Sequence, residues 1–336
     1  MSQPNTTAVL LLAHGTPNVL GEMADYLSKV TGGRPLPPSV VAELQHRYAQ
    51  IGLKDEPGTE PPPLTRWTLA QARLLQLALQ QSGRALPVYV AMRNWHPFIP
   101  DVVHQMLADG VTRILALCLA PQNSSTSTGL YRRALVAALD AEAARNPSAA
   151  MPALTFVEAW SEEPALIQAF AQRLIDAYPD ACKKSASALP VLFTAHSVPC
   201  RTIQASESNP TPDPYPVEAK RTAELVFQSA TRQLPTLKKW FFAFQSQGVA
   251  SGPWIGPTVE ETLAAIAAAG HPGVVLQPIG FLSDHVEILY DIDIAFTETA
   301  HTLGLRLYRP ESLNDSPLLT KALLHVVIRQ LTTHNL

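Results

Sequence analysis

Short continuous apolar runs alternate with amphipathic stretches along the whole chain. The runs at 9–13, 86–92, 112–119, 154–159, 191–195, 240–244 and 274–278 have strand length, and the most apolar of them read as buried on both faces. Between them, apolar positions recur at helical spacing over 37–51, 67–81, 97–109, 128–145, 163–178, 217–233, 259–269, 284–299 and 317–331. Pro97 opens the third of these and Gly110 closes it, while Gly270 closes the helix at 259–269. Strands alternating with helices predict an α/β fold, with parallel sheets joined by right-handed crossovers.

Two of the strand runs end alike. Val9 to Ala13 leads into His14-Gly15-Thr16-Pro17, and Val191 to Ala195 leads into His196-Ser197-Val198-Pro199. Each places an imidazole at the carboxyl end of a strand, where open α/β sheets keep their ligand sites. The repeat predicts two similar halves with a binding cleft between them. The apolar pattern breaks after Tyr178, at Pro179, Asp180, Lys183 and Lys184, which sets the expected domains at 1–178 and 179–336. The last helix is a candidate to pack back on the first domain.

The composition narrows the class. Of 336 residues, 46% are hydrophobic and 16% charged, as in an ordinary globular protein. A net charge of −3 provides no global field for nucleic acid. Cys118, Cys182 and Cys200 cannot all pair and lack zinc-site spacing, which points to a reducing cytoplasmic setting. No signal-peptide core and no apolar run of membrane-spanning length stands in the sequence. Proline clusters at 35–38, 61–63 and 210–216 read as ordered loops or lips between periodic segments. Neither phosphate-binding glycine motif follows the first strands.

The densest polar cluster is Ser283-Asp284-His285-Val286-Glu287, directly after the apolar run at 274–278. Ser283 is a candidate cap of the next helix. Glu287 falls in its first turn, and Asp291 shares the Glu287 face. Acids in a first turn also simply complement the helix dipole. His196 fits either a structural role or, paired with Glu287, an N/O site with open positions suited to a transient divalent metal such as Fe²⁺. His14 carries the same two readings. Trp254, on the loop Gly252-Pro253-Trp254-Ile255-Gly256-Pro257, could stack on a flat ligand or pack under its own turn. Arg34, after Thr31-Gly32-Gly33, and Arg93 carry forked donors suited to carboxylates, and each also fits a solvated surface position.

These residues carry a resemblance. His14-Gly15-Thr16-Pro17, Arg93-Asn94-Trp95-His96-Pro97, Ala120-Pro121-Gln122, His196-Ser197-Val198-Pro199 and Asp213-Pro214-Tyr215-Pro216 resemble motifs of the ferrochelatase family. So do Gln245-Ser246, Pro253-Trp254-Ile255-Gly256-Pro257, the stretch from Gly280 to Glu287, and Tyr308-Arg309-Pro310-Glu311. The resemblance spans nearly the whole chain. It implies two Rossmann-like domains around a porphyrin cleft and insertion of Fe²⁺ into a porphyrin in haem biosynthesis. It places His196 at the pyrrole nitrogens with Glu287 as its carboxylate partner, both touching metal, and Asp291 on the acidic path leading to them. It sets Arg34, Arg93 and Trp254 around the porphyrin; His14 departs from the family, standing where tyrosine or an aliphatic residue is usual, and could approach the metal from the face opposite His196.

The chain departs from the family in places. Ala295 stands where a further carboxylate is usual, and a proline-rich stretch at 58–64 replaces a glycine-rich segment. The cysteines of an iron–sulfur cluster are absent. The expected protein has no resident cofactor, takes Fe²⁺ and porphyrin as substrates, works as a monomer, and has no transmembrane segment, though peripheral membrane contact stays open. Coproporphyrin III is favoured over protoporphyrin IX. The competing readings are a chelatase for another metal and tetrapyrrole, or a non-catalytic two-lobed porphyrin or haem carrier.

Overall fold

A computed structural model describes residues 6–205, 211–248 and 252–334. Pro210, at the head of one expected proline loop, lies outside them. The chain divides into two compact units. One holds the residues up to Ala120, Ser127–Trp160 and the residues from Thr320 on; the other holds Pro121–Thr126 and Ser161–Leu319.

The first unit is built on four parallel strands, β1 (Thr7–Ala13), β2 (Val88–Met92), β3 (Arg113–Cys118) and β4 (Ala153–Val157), in the order β2-β1-β3-β4. Every residue of β1 is buried, as an apolar run covered on both faces requires. Helices α1 (Met23–Val30), α2 (Pro38–Gln50), α3 (Pro63–Gln81), α4 (Ile99–Ala108) and α5 (Thr128–Arg145) complete it. Ala8, Leu10 and Leu12 pack with Val103 and Met106 of α4 and Leu135 of α5 in one core. Gly15 turns the chain out of β1 at φ +89°. A Cβ there would lie 2.7 Å from the Trp95 backbone nitrogen, so only glycine fits.

The second unit repeats the plan. It opens with α6 (Pro164–Ser185). Its strands β5 (Val191–His196), β6 (Trp240–Gln245), β7 (Gly273–Pro278) and β8 (Arg306–Tyr308) run parallel in the order β6-β5-β7-β8. The connections carry α7 (Cys200–Ile203), α8 (Tyr215–Thr231), α9 (Val259–Ala268), α10 (Val286–Leu289) and α11 (Thr297–Thr302). The final helix, α12 (Pro317–His334), crosses the division at Thr320. In both sheets the strand order reverses beside the first strand, which creates a switch point between β1 and β3 and another between β5 and β7.

Three expectations are corrected here. The break expected at 178/179 falls inside α6, which runs through Pro179 because Tyr178 and Ala181 continue its buried face. The chain divides instead at Trp160/Ser161. Strand β8 and helices α1 and α7 are additional. The single helix expected over 284–299 is broken: a π-helical segment, Asp291–Phe296, separates α10 from α11.

The π segment has a cause in the sequence. Ile288, Ile292, Phe296 and Ala300 recur every fourth residue and all lie in the core beneath β5 and β7. In an α-helix such a stripe rotates about 40° per repeat and would leave the sheet. A π turn rotates it back. The backbone shows this, since Tyr290 O accepts from both Ile294 N at 3.1 Å and Ala295 N at 3.0 Å.

Candidate active site

The switch point of the second sheet gathers the polar residues. His196 is the last residue of β5. The loop after β7 turns at Gly280, where a Cβ would stand 3.1 Å from Ala195 Cα, and leads to Glu287 in α10. His196 Nε2 lies 3.4 Å from Glu287 Oε1, with the side chains 35% and 30% exposed. His196 Nδ1 is in short contact with the Ser197 carbonyl. A carbonyl only accepts, so Nδ1 carries a hydrogen in every protonation state. In the neutral ring the lone pair is therefore on Nε2, facing Glu287.

Burial pulls the His196 pKa down, but the Glu287 charge and hydrogen bond, the Ser197 carbonyl and the Asp291 charge outweigh it and leave it raised. His285 behaves in the opposite way. Burial lowers its pKa, and its Nδ1 accepts the backbone N–H of Glu287 at 3.1 Å. This imidazole, and not Ser283, caps α10, which corrects the expected cap. The two histidines that contact Glu287 thus hold opposite tautomers.

Neighbouring strand ends fix the pair. Gln245, at the end of β6, donates to the Glu287 carbonyl at 2.8 Å and accepts from Thr194 Oγ1 at 2.6 Å. Ser246 donates to Asp291 Oδ2 at 2.5 Å. Tyr215 donates to the His196 carbonyl at 2.9 Å, and burial raises its pKa, so it remains a phenol. Gln245, Ser246, Tyr215 and His285 stand in stretches that the sequence marks, but none is named there as a site residue. Gln245 closes β6 and Ser246 follows it, where an open sheet presents its site.

Trp254 belongs to the same unit. Its backbone pairs with Pro199 on the loop leaving β5, and Ile255 N donates to Val198 O at 3.0 Å. A Cβ at Gly248 would lie 3.0 Å from the indole, so the ring covers that glycine. His14, Arg34 and Arg93 lie in the first unit. His14 leaves β1 half-buried, edge-on to Tyr26 at 6.2 Å, with the Asn94 amide 3.0 Å from its Nε2. Arg93 follows β2, with its guanidinium 5.8 Å from the Tyr131 ring. Arg34 is exposed after α1 and donates to Thr31 O at 3.3 Å. The structure therefore joins His196, Glu287 and, through Ser246, Asp291 in one cluster. Among the described residues, no three His, Cys, Asp or Glu close into a cage for a metal ion. No helix among them is long and apolar enough to cross a membrane.

Parallel sheets of matching strand order, with an imidazole and a carboxylate at one switch point, define a protein of the chelatase fold class. The chain is similar over 96% of its length to the sirohydrochlorin chelatase SirB of Bacillus subtilis subspecies spizizenii in complex with cobalt, over 94% of that chain. The TM-score is 0.51 at 12% identity, a likeness of fold alone. The chain belongs to the ferrochelatase family, whose profile matches residues 6–331. It is 52% identical over 324 residues to the ferrochelatase of Acidobacterium capsulatum, covering 94% of this chain and 92% of that one. It is 32% identical over 330 residues to the coproporphyrin III ferrochelatase of Geobacillus thermodenitrificans, covering 97% and 96%. The expected fold class and enzyme class are those of this family.

Proposed function

We propose that His196 and Glu287 are the proton- and metal-handling pair of an Fe²⁺ insertion into coproporphyrin III, with Asp291 as a peripheral relay. The observation that carries this reading is the 3.4 Å approach of Glu287 Oε1 to the one His196 nitrogen that can gain a proton. A free-base porphyrin releases two pyrrole protons as Fe²⁺ enters. Neutral His196 accepts one at Nε2. The imidazolium formed is held by Glu287 on one side and the Ser197 carbonyl on the other, and this is the form that the raised pKa favours. Glu287 takes the second proton or passes it toward Asp291. The lone pair on Nε2 can hold Fe²⁺ or a proton but not both, so handing the metal to the ring frees the base.

Arg34 and Arg93 offer forked donors to propionates, each contributing on the order of 1 kcal/mol. His14 and Trp254 supply a ring edge and a ring face to the macrocycle. A tetracarboxylate suits this polar set, and relatives named as coproporphyrin III ferrochelatases support the choice. The reading needs no resident cofactor. Three unpaired thiols, Cys118, Cys182 and Cys200, support a reducing cytoplasm as its setting, with the enzyme acting as a monomer.

The test is Fe²⁺ insertion into coproporphyrin III and protoporphyrin IX, side by side, for the wild type and His196→Ala. The wild type should favour coproporphyrin III. Loss of a positioned proton acceptor should lower turnover by about 10²- to 10⁴-fold with the fold intact. Near-normal turnover in His196→Ala would remove the pair from the chemistry, and faster insertion into protoporphyrin IX would overturn the substrate choice.

A further inference from the structure

We propose that Arg309, which lies outside the candidate site, is a positioning residue that sets the geometry of Glu287 and Asp291 by clamping both ends of the segment that carries them. The proposal rests on the assignment of those two carboxylates made above.

The clamp is built from the turn after β8. Arg309 Nε and Nη2 donate to the two oxygens of Asp293 at 2.5 and 2.7 Å, a fork-to-fork pair. Its Nη1 lies 3.5 Å from Asp284 Oδ1 and donates to Pro310 O at 3.2 Å and Ser312 Oγ at 3.4 Å. Asp284 is held further by Ser312 Oγ at 2.6 Å and Asn314 Nδ2 at 2.9 Å, and its own N–H donates to Asn314 Oδ1 at 2.9 Å. Asp284 precedes the His285 cap, and Asp293 lies within the π segment. Glu287 and Asp291 lie between the two anchors. The Arg309 side chain is only 14% exposed, so its donors are committed to these partners and not to water.

The arrangement answers a specific need. A π turn has poorer backbone bonding than an α-helix and persists only where tertiary contacts hold it. The core stripe holds its apolar face. On the polar side Thr297 Oγ1 donates to Ile292 O at 3.0 Å, Ser246 holds Asp291, and the Arg309–Asp293 fork pairs charge with charge. Without that fork the polar side loses its ion-pair restraint, and the segment can shift toward α-helical winding against the hold of the core stripe. Rewinding rotates Asp291 relative to Glu287 and loosens the Ser246 bond to Asp291. A lysine at 309 keeps the charge and loses the fork, so geometry and not charge is what the substitution removes.

The experiment compares Arg309→Lys, Asp293→Asn and Glu287→Gln in the full chain. It reads circular dichroism, kcat and porphyrin KM for Fe²⁺ insertion, and the pH profile of kcat. Arg309→Lys and Asp293→Asn should each retain a native spectrum and porphyrin KM. Each should lose about tenfold or more in kcat, the usual effect of removing a group that orients a site residue. The acid limb of the pH profile should also move, because the Asp291 and Glu287 charges no longer face His196 as before. Unchanged kcat and pH profile in either folded variant would overturn the proposal. So would failure of both to fold, since the pair would then serve the fold and not the site. Glu287→Gln separates the two ideas. If it inserts iron normally, the site assignment itself is wrong; if it is inactive while Asp293→Asn is normal, only the clamp is wrong.

Discussion

Replacing Glu287 by Gln should lower the ceiling of iron insertion and also move its acid limb. In the folded enzyme burial pulls the His196 pKa down, yet Glu287, the Ser197 carbonyl and Asp291 together raise it above the ordinary imidazole value. The separation explains why attraction wins. Unit charges 3.4 Å apart attract by about 1 kcal/mol in water and about 5 kcal/mol at an effective dielectric of 20. With about a third of each side chain in solvent, screening brings the pair toward the lower figure. Gln keeps the shape and removes the charge, which leaves burial dominant.

The base must be neutral to accept a proton, so activity falls as pH drops through the His196 pKa. In Glu287→Gln that limb should therefore lie at lower pH than in the wild type. The plateau should drop by about 10²- to 10⁴-fold. The stability tied to the imidazolium runs the opposite way: in the wild type it is fully present below the unfolded pKa and is lost as pH rises through the raised folded value. Turnover would be followed anaerobically from about pH 5 to about pH 9. A parallel NMR titration of ring-labelled histidine would use His196→Asn to identify the resonance. An acid limb that stays in place, or moves to higher pH, would show that Glu287 does not set the proton affinity of His196.

Asp291→Asn should be the milder variant, with kcat reduced by less than about tenfold, because water can replace a peripheral relay; a loss larger than that of Glu287→Gln would contradict the proton path. Arg93→Ala should weaken porphyrin binding about fivefold, the equivalent of about 1 kcal/mol, seen by fluorescence titration, and equal affinity would exclude a carboxylate contact. His285→Asn should preserve kcat where His285→Ala lowers it, since Asn supplies the cap oxygen that Ala lacks; equal loss in both would assign the imidazole another role. Gly15→Ala should lower unfolding stability by at least about 1–2 kcal/mol through its left-handed backbone alone, before the clash with Trp95, and an unchanged denaturation midpoint would refute this.

Strands β1, β3, β5 and β7 are legible in the sequence because each is buried along nearly its whole length and so is mostly apolar. Strand β8 is not: it has three residues, and Arg306 at its start is exposed. The helix at 284–299 is legible as helical but not as broken, because an apolar residue every fourth position reads alike in either winding. The domain division eludes pattern because Pro179 and the lysines after it look like a linker, while α6 tolerates proline and keeps its buried face. In the site, His196 and Glu287 stand out as ionisable groups directly after apolar runs. Tyr215, Ser246 and Arg309 act across 16 to 45 residues of chain, and no local pattern reports such partners. Ser283 has the better capping propensity, but it is buried, and the neighbouring Asp284 is tied down by the turn after β8; the Glu287 amide, in the first turn of α10, meets His285 instead.

The matching strand orders of the two sheets have a consequence for substrate choice. The repeated architecture offers two similar mouths, and among the described residues it is the one at β5 and β7 that carries an imidazole facing a carboxylate. The mouth at β1 and β3 presents His14 beside an amide, with Arg93 nearby and Arg34 on an exposed loop. On the proposed assignment, chemistry and selection fall to different copies of one plan. Substitutions in the first copy are then expected to change the choice of tetrapyrrole side chains while the proton chemistry of the second stays in place.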